Sequence, residues 1–239
     1  MPASWALLIS CEHGGNAVPP EYAPLFAHWR DLLVSHRGFD AGALVTAGAL
    51  AAACDAPLFA ATTSRLVVDL NRSVGHPGLF SEITKPLPAA VKKNILAAHY
   101  RPHREAVTAA VAGLRAQGKT VLHIASHSFT PRLAGVTRHC DVAFLYDPKR
   151  PVEKTFCLNW RRKLALLAPN LLLRRNYPYR GAADGLTTAL RRRFGEGYLG
   201  VELEVNQRFV QAGEADLAAL NDRLVAALGQ ALARTPLTP

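Results

Sequence analysis

Leu122-His123-Ile124-Ala125-Ser126-His127-Ser128-Phe129 is the stretch on which the fold turns. Residues 121–125 form a short, mostly apolar run after a Gly118-Lys119 turn, which predicts a buried strand. The run then meets Ser126-His127-Ser128, small polar residues placed where a strand of an open α/β sheet would emerge. Ligands of such sheets sit at the carboxyl ends of the strands. A histidine there can offer a ring nitrogen to a metal or a proton to a substrate. A surface histidine flanked by serines reads equally well from this stretch alone.

Working outward, strand-like and helix-like segments alternate. Strands are predicted over 6–11, 57–62, 64–72, 121–125, 141–146, 171–173 and 198–205. Helices are predicted over 22–34, 41–54, 88–117 with a break at Pro102, 156–167, 186–194 and 216–233. Residues 75–87 read as a rim or lid loop, and residues 235–239 are expected to fray. This alternation implies a three-layer α/β/α architecture with a central mixed, mostly parallel sheet. With 239 residues, 49% of them apolar, one domain spanning 1–239 is expected.

Composition excludes several classes. No apolar run reaches the roughly 18 residues of a membrane helix, and the opening Met1-Pro2-Ala3-Ser4-Trp5 lacks the basic region of a signal peptide. Cys11, Cys54, Cys140 and Cys157 have no paired spacing, which predicts reduced thiols and a cytoplasmic location. The net charge is +10, but the basic residues are spread over several helices without interleaved aromatics. They read as solvated helix faces that attract anionic substrates, and no nucleic-acid partner is expected.

Polar clusters fall at strand ends or on one strand face. Glu12-His13-Gly14-Gly15 follows the first strand, where two glycines let the backbone turn sharply and approach a ligand. Asp40 stands where it could cap the next helix, bind a metal or orient an imidazole. Read as a strand, 64–72 would put Arg65, Asp69 and Asn71 on one face with Arg72 following, so that Asp69 pairs with one arginine while the other holds a carboxylate. On the last strand Glu202, Glu204 and Asn206 alternate with Leu203 and Val205. Two histidines and a carboxylate form a common hydrolytic zinc site, and a further glutamate can shuttle the proton of water to a leaving amine.

In these motifs the chain resembles the N-formylglutamate amidohydrolase family, itself distantly similar to zinc carboxypeptidases and aspartoacylases, with their phosphorylase/hydrolase-like fold. The motifs are Cys11-Glu12-His13-Gly14-Gly15-Asn16, Phe39-Asp40-Ala41-Gly42, the 64–72 segment, Pro102-His103, Ser126-His127-Ser128-Phe129, Asn176-Tyr177-Pro178-Tyr179 and Glu204-Val205-Asn206. The resemblance implies that His13 and His127 bind zinc or another divalent metal. Carboxypeptidases carry a glutamate three residues after their first ligand histidine, where this chain has Asn16. The third ligand is therefore Asp40 first and Glu12 second. The resemblance further implies that Glu204 is the general base, with Glu202 as fallback, and that Arg65 steadies the carbonyl oxygen. Asn71 and Arg72 would receive the substrate carboxylate, with His103, Asn176 and Tyr179 as further substrate contacts.

The expected activity is zinc-dependent hydrolysis of a small anionic N-acyl amino acid, N-formyl-L-glutamate among them, in histidine degradation. Two rivals remain at this point: a peptidase or amidase acting on peptide or cell-wall fragments, and a basic protein that binds an anionic ligand or RNA without catalysis. Nothing in the sequence sets the oligomeric state.

Overall fold

A computed structural model describes residues 5–233. Six strands form one sheet: β1 (Trp5–Cys11), β2 (Leu58–Ala60), β3 (Thr120–Phe129), β6 (Val142–Leu145), β7 (Leu173–Arg175) and β8 (Tyr198–Asn206). Two short strands between β3 and β6, β4 (Arg132–Leu133) and β5 (Val136–Thr137), make a separate hairpin. The sheet order is β2-β1-β3-β8-β6-β7, and every pair is parallel except β6 with β8.

The helices are α1 (Arg30–Val34), α2 (Ala43–Cys54), α3 (Ala89–Ile95), α4 (Arg101–Ala116), α5 (Pro151–Leu167), α6 (Leu186–Phe194), α7 (Arg208–Ala212) and α8 (Glu214–Leu232). Alternation along the strands assigns them to layers. On β8, Leu199, Val201, Leu203 and Val205 join Leu122 and Ile124 of β3 in a core with α2, α5 and α8. On the other face Leu8, Val121 and Tyr198 pack against Val107 and Val111 of α4 and Leu186 and Leu190 of α6. The result is the expected three-layer arrangement. Trp160 of α5 is fully buried against Phe144 and Phe156, with its indole N–H donating to the Leu224 carbonyl at 3.2 Å. Truncation by Trp160→Ala should cost about 3–5 kcal/mol. A urea midpoint that hardly moves would contradict this packing.

The central strand is longer than its apolar run. β3 continues through Ser126-His127-Ser128 to Phe129, with all ten residues buried. The polar residues stay in the ladder because their side chains are satisfied. Ser126 and Ser128 donate their hydroxyls to the carbonyls of Ala43 and Ala41 at 2.9 and 2.7 Å, while β8 pairs alongside as far as Phe129↔Asn206. His123, on the opposite face, has Nδ1 2.6 Å from the Tyr198 hydroxyl and Nε2 2.7 Å from the Ser10 hydroxyl.

Burial pushes His123 down to about 4, so the folded protein holds it neutral. The unfolded chain protonates it near 6.5. Its contribution to stability is therefore complete above that pH and lost as pH falls toward 4. A depression of this size corresponds to a contribution on the order of 3 kcal/mol. The stability difference between wild type and His123→Gln should shrink between pH 7 and pH 4.5. A pH-independent difference would argue against a neutral buried ring.

Three predicted elements are corrected. Residues 64–72 do not form a strand. Ser64 opens a series of turns, and Leu66, Val67 and Val68 are all buried in succession in a cluster with Phe26, Leu79 and Ile95. The backbone is satisfied locally, as when Val67 N–H donates to Ser64 and the Thr84 hydroxyl donates to the Val67 carbonyl at 3.0 Å. The single helix over 22–34 is instead a 3-10 segment, Pro20–Phe26, followed by α1, because Pro24 lies inside the segment. The 88–117 helix is interrupted not at Pro102 itself but over Leu96–Tyr100, a wide turn just before α4, where proline removes a backbone donor.

Strand and helix ends also shift. β7 lies two residues later than predicted, and α5 starts earlier, with Pro151 at its first position. The four cysteines are free, three of them buried. Among the described residues, no helix is long and apolar enough to cross a membrane. The expected fraying of 235–239 concerns residues outside the described ones.

A candidate metal and substrate site at the strand ends

β1 ends at Cys11, so Glu12 and His13 fall on a turn and point in directions a strand could not give them. The glycines that follow serve close packing of the main chain. A Cβ on Gly15 would lie 2.7 Å from the Thr62 carbonyl oxygen, and one on Gly14 would lie 3.0 Å from that of Ala61. The approach that glycine permits here is to the neighbouring 61–62 segment.

The His13 carbonyl accepts the Asp40 N–H at 2.9 Å, which fixes Asp40 beside the turn. Asp40 does not cap α2, whose first turn carries no side-chain cap. Its carboxylate turns instead to the end of β3. Asp40 Oδ2 lies 3.0 Å from His127 Nδ1 and 3.4 Å from His13 Nδ1. Each imidazole offers its other nitrogen to a different carboxylate. His13 Nε2 is 2.7 Å from Asp69 Oδ1, and His127 Nε2 is 3.2 Å from Glu12 Oε2. His13, Asp40 and His127, all buried, bring one potential ligand atom each within 4.8 Å of one another. This donor set fits zinc: two ring nitrogens and one carboxylate oxygen converge, and each ring is oriented by an outer carboxylate.

Arg65 braces the group. Its guanidinium donates to Asp40 Oδ1 at 3.2 Å and to Asp69 Oδ2 at 2.8 Å. Burial alone would raise Asp40 and Asp69. For Asp40, the charge of His13, hydrogen bonds from His127 and His13 and the charge of Arg65 outweigh burial; for Asp69, the charges of Arg65 and His13 and a hydrogen bond from His13 do, and both carboxyls are held well below the ordinary range. His13 and His127 move the other way. Burial works against their charge, but Asp69 and Asp40 raise His13, and Asp40 and Glu12 raise His127.

A cavity of about 350 Å³ opens on these groups. His13, Asp40 and His127 line it together with Arg65, Asn71, Arg72, Tyr179, Glu202 and Glu204. The two glutamates differ. Glu202 Oε1 accepts the Thr187 hydroxyl at 2.8 Å, whereas Glu204 Oε2 is buried without a hydrogen-bond partner. Burial, reinforced by Asp40 and Glu202 and opposed by His127, pushes Glu204 up to about 8. Asn71 accepts the Leu186 N–H on Oδ1 at 2.7 Å and has Nδ2 3.4 Å from His127 Nε2. Arg72 donates to the Asp184 carbonyl at 2.8 Å.

Two expected substrate contacts lie elsewhere. His103, on α4, is not part of the cavity wall; its Nε2 lies 3.4 Å from Glu12 Oε1. Asn176 has positive φ and accepts the N–H groups of Tyr146 and Gly181 on Oδ1, so it shapes the turn that carries Tyr179 and is not part of the wall. Glu12 lies on the outer side of His127 and, unlike Asp40, is not part of the converging trio. Sequence reasoning missed Arg180 and Asp184 in the cavity wall, and the role of Asp69 as partner of His13. Asp69-Leu70-Asn71-Arg72 carried a signal for the last of these; Arg180 and Asp184 carried none.

A profile of the family described as N-formylglutamate amidohydrolase matches residues 5–210. Among solved structures, the gene product Atu2144 of Agrobacterium tumefaciens is 30% identical, with a TM-score of 0.82 covering 97% of this chain and 92% of that one. An N-formylglutamate amidohydrolase from Ralstonia eutropha JMP134 is 19% identical, with a TM-score of 0.73 over 97% of this chain and 94% of that one, which shows a shared fold. Among curated proteins, none matches this chain.

Proposed function

Because the chain belongs to the N-formylglutamate amidohydrolase family, we propose that it hydrolyses the amide bond of an N-acyl acidic amino acid such as N-formyl-L-glutamate, with zinc held by His13, Asp40 and His127. The observation that carries this reading is the meeting of two Nδ1 atoms on one Asp40 oxygen, in a cavity shared with the unpartnered Glu204 carboxylate. Zinc in such a site polarises a carbonyl and lowers the pKa of water toward about 7.

The chain's own residues supply the rest. Glu204 is the base that takes a proton from the attacking water and delivers it to the leaving nitrogen. Water adds to the acyl carbon, the C–N bond breaks, and the carboxylic acid and the free amino acid depart. Arg72, steadied by the Asp184 carbonyl, and Asn71 face the cavity where a substrate carboxylate would be received. Arg65 keeps Asp40 and Asp69 in place and presents positive charge to the oxyanion that develops in the transition state. Free, mostly buried cysteines fit a reducing compartment such as the cytoplasm.

Zinc-loaded protein should release formate from N-formyl-L-glutamate, and a chelator should abolish the release. Protein with a full equivalent of zinc that is inactive across a broad panel of N-acyl amino acids would overturn the proposal.

A further inference from the structure

The cleft does not end at the metal site. A second hollow, of about 480 Å³, adjoins the first across His36, Arg65 and Tyr179. It lies between the loop carrying Pro77 to Lys85 and the β4–β5 hairpin, which contributes Leu133. Its walls are mixed. Phe80, Leu133 and the Tyr179 ring supply apolar surface. Arg37 is neutralised by Glu82 at 2.7 Å, whereas Lys85 reaches only the Pro77 carbonyl, at 3.5 Å, and forms no ion pair among the described residues.

The layout gives the second hollow a direction. Asn71 and Arg72 belong to the first cavity alone, and the His13–Asp40–His127 group lines the same cavity. Arg65 bridges Asp40 to Asp69, and Asp69 lines the second hollow. A substrate whose carboxylate lies at Arg72 and whose amide lies at the histidines therefore sends its acyl side past Arg65 and Tyr179. A formyl group, with one carbon, would stop at the neck.

Building on the amidohydrolase reading above, we infer that the acyl part of the substrate is an arm of several atoms, with an apolar stem seated between Phe80, Leu133 and Tyr179 and an oxygen-bearing end at Lys85. A dicarboxylic acyl group shares this chemistry with a short peptide whose amino end is itself acylated and so ends on a carbonyl oxygen. In either case the remote contacts add binding energy that a formyl substrate cannot use.

The test is calorimetric binding to zinc-loaded Glu204→Gln protein of N-formyl-, N-pentanoyl-, N-glutaryl- and N-acetylglycyl-L-glutamate. The tighter of the last two should bind roughly tenfold or more tightly than the formyl compound, with the pentanoyl compound between them. Leu133→Trp, which fills the hollow from its exposed rim, should abolish the difference. Lys85→Ala should reduce the better ligand to the pentanoyl level without changing formyl binding. Which of the two long compounds binds better identifies the source of the arm. Equal or tighter binding of the formyl compound, or a preference that survives both variants, overturns the inference.

Turnover of the same series by wild type separates the two claims. A binding preference that depends on the second hollow, with no hydrolysis of any compound, leaves the acyl subsite standing and removes the amidohydrolase reading. Hydrolysis of N-formyl-L-glutamate without any preference for longer arms does the reverse.

Discussion

The Glu204→Gln variant is expected to lose about 10²–10⁴ of kcat/KM on N-acyl-L-glutamates while keeping its zinc. The prediction rests on the contrast between two carboxylates on the same strand face. Glu202 is engaged by the Thr187 hydroxyl, and its partner residue is part of α6. Glu204 is opposite His127 in the β3–β8 register and has a buried oxygen with no partner. A buried acceptor left open is costly unless something in the working protein uses it. Burial pushes its carboxyl up to about 8, toward the neutral range in which a general base works best. Glu202→Gln should cost much less, because an amide can still accept from Thr187. Rates on both variants, with metal content measured alongside, decide the matter. If the Glu204→Gln enzyme keeps more than a tenth of wild-type kcat/KM, or if Glu202→Gln is the more damaging change, the base has been misassigned.

The parts of this site that were legible in the sequence are those governed by strand parity. Leu199, Val201, Leu203 and Val205 alternate with Gly200, Glu202, Glu204 and Asn206, and the structure keeps that division, with the leucines and valines in the core and the glutamates on the cavity side. The same parity carries His127 to the glutamate side, since His127 pairs with Glu204 in a parallel ladder. Parity misled where no ladder exists. Leu66, Val67 and Val68 looked like part of an alternating strand, but turn hydrogen bonds and a loop-built apolar cluster hold them, and all three are buried. Arg65 and Asp69 reach the site by a turn, not by sharing a strand face.

Asp40 shows a different limit. Its position before a helix is equally suited to capping and to the site. Only the tertiary approach of the β1 turn, through the Asp40 N–H to His13 carbonyl bond, decides between them. Arg180 and Asp184 sit in a loop, where neither period nor propensity indicates which way a side chain points.

Removing one ring of the pair should have the largest effect on the metal. His127→Ala is expected to purify with less than about a tenth of an equivalent of zinc and to lose activity in proportion, because a site cut to two protein ligands holds zinc poorly. Glu12→Gln should leave the three direct donors in place and weaken zinc binding by about 10–100-fold, the usual cost of removing an outer carboxylate. The geometry behind the difference is direct: His127 turns Nδ1 to the Asp40 oxygen and Nε2 to Glu12, so Glu12 orients the ring from outside the converging trio of His13, Asp40 and His127. The same carboxylates raise His13 and His127 above the ordinary imidazole value, so a metal must displace protons to bind. Zinc affinity should therefore weaken as pH falls through the neutral range, and calorimetry in buffers of different ionisation enthalpy should detect protons released on binding. An ion held by His13, Asp40 and His127 would bind only the folded chain, so a chelator should also lower the melting temperature of wild type and leave that of His127→Ala unchanged. A His127→Ala protein that retains a full equivalent of zinc, or zinc binding with no proton release near neutral pH, would mean that the two rings do not hold a common cation and that the carboxylates around them serve only the fold.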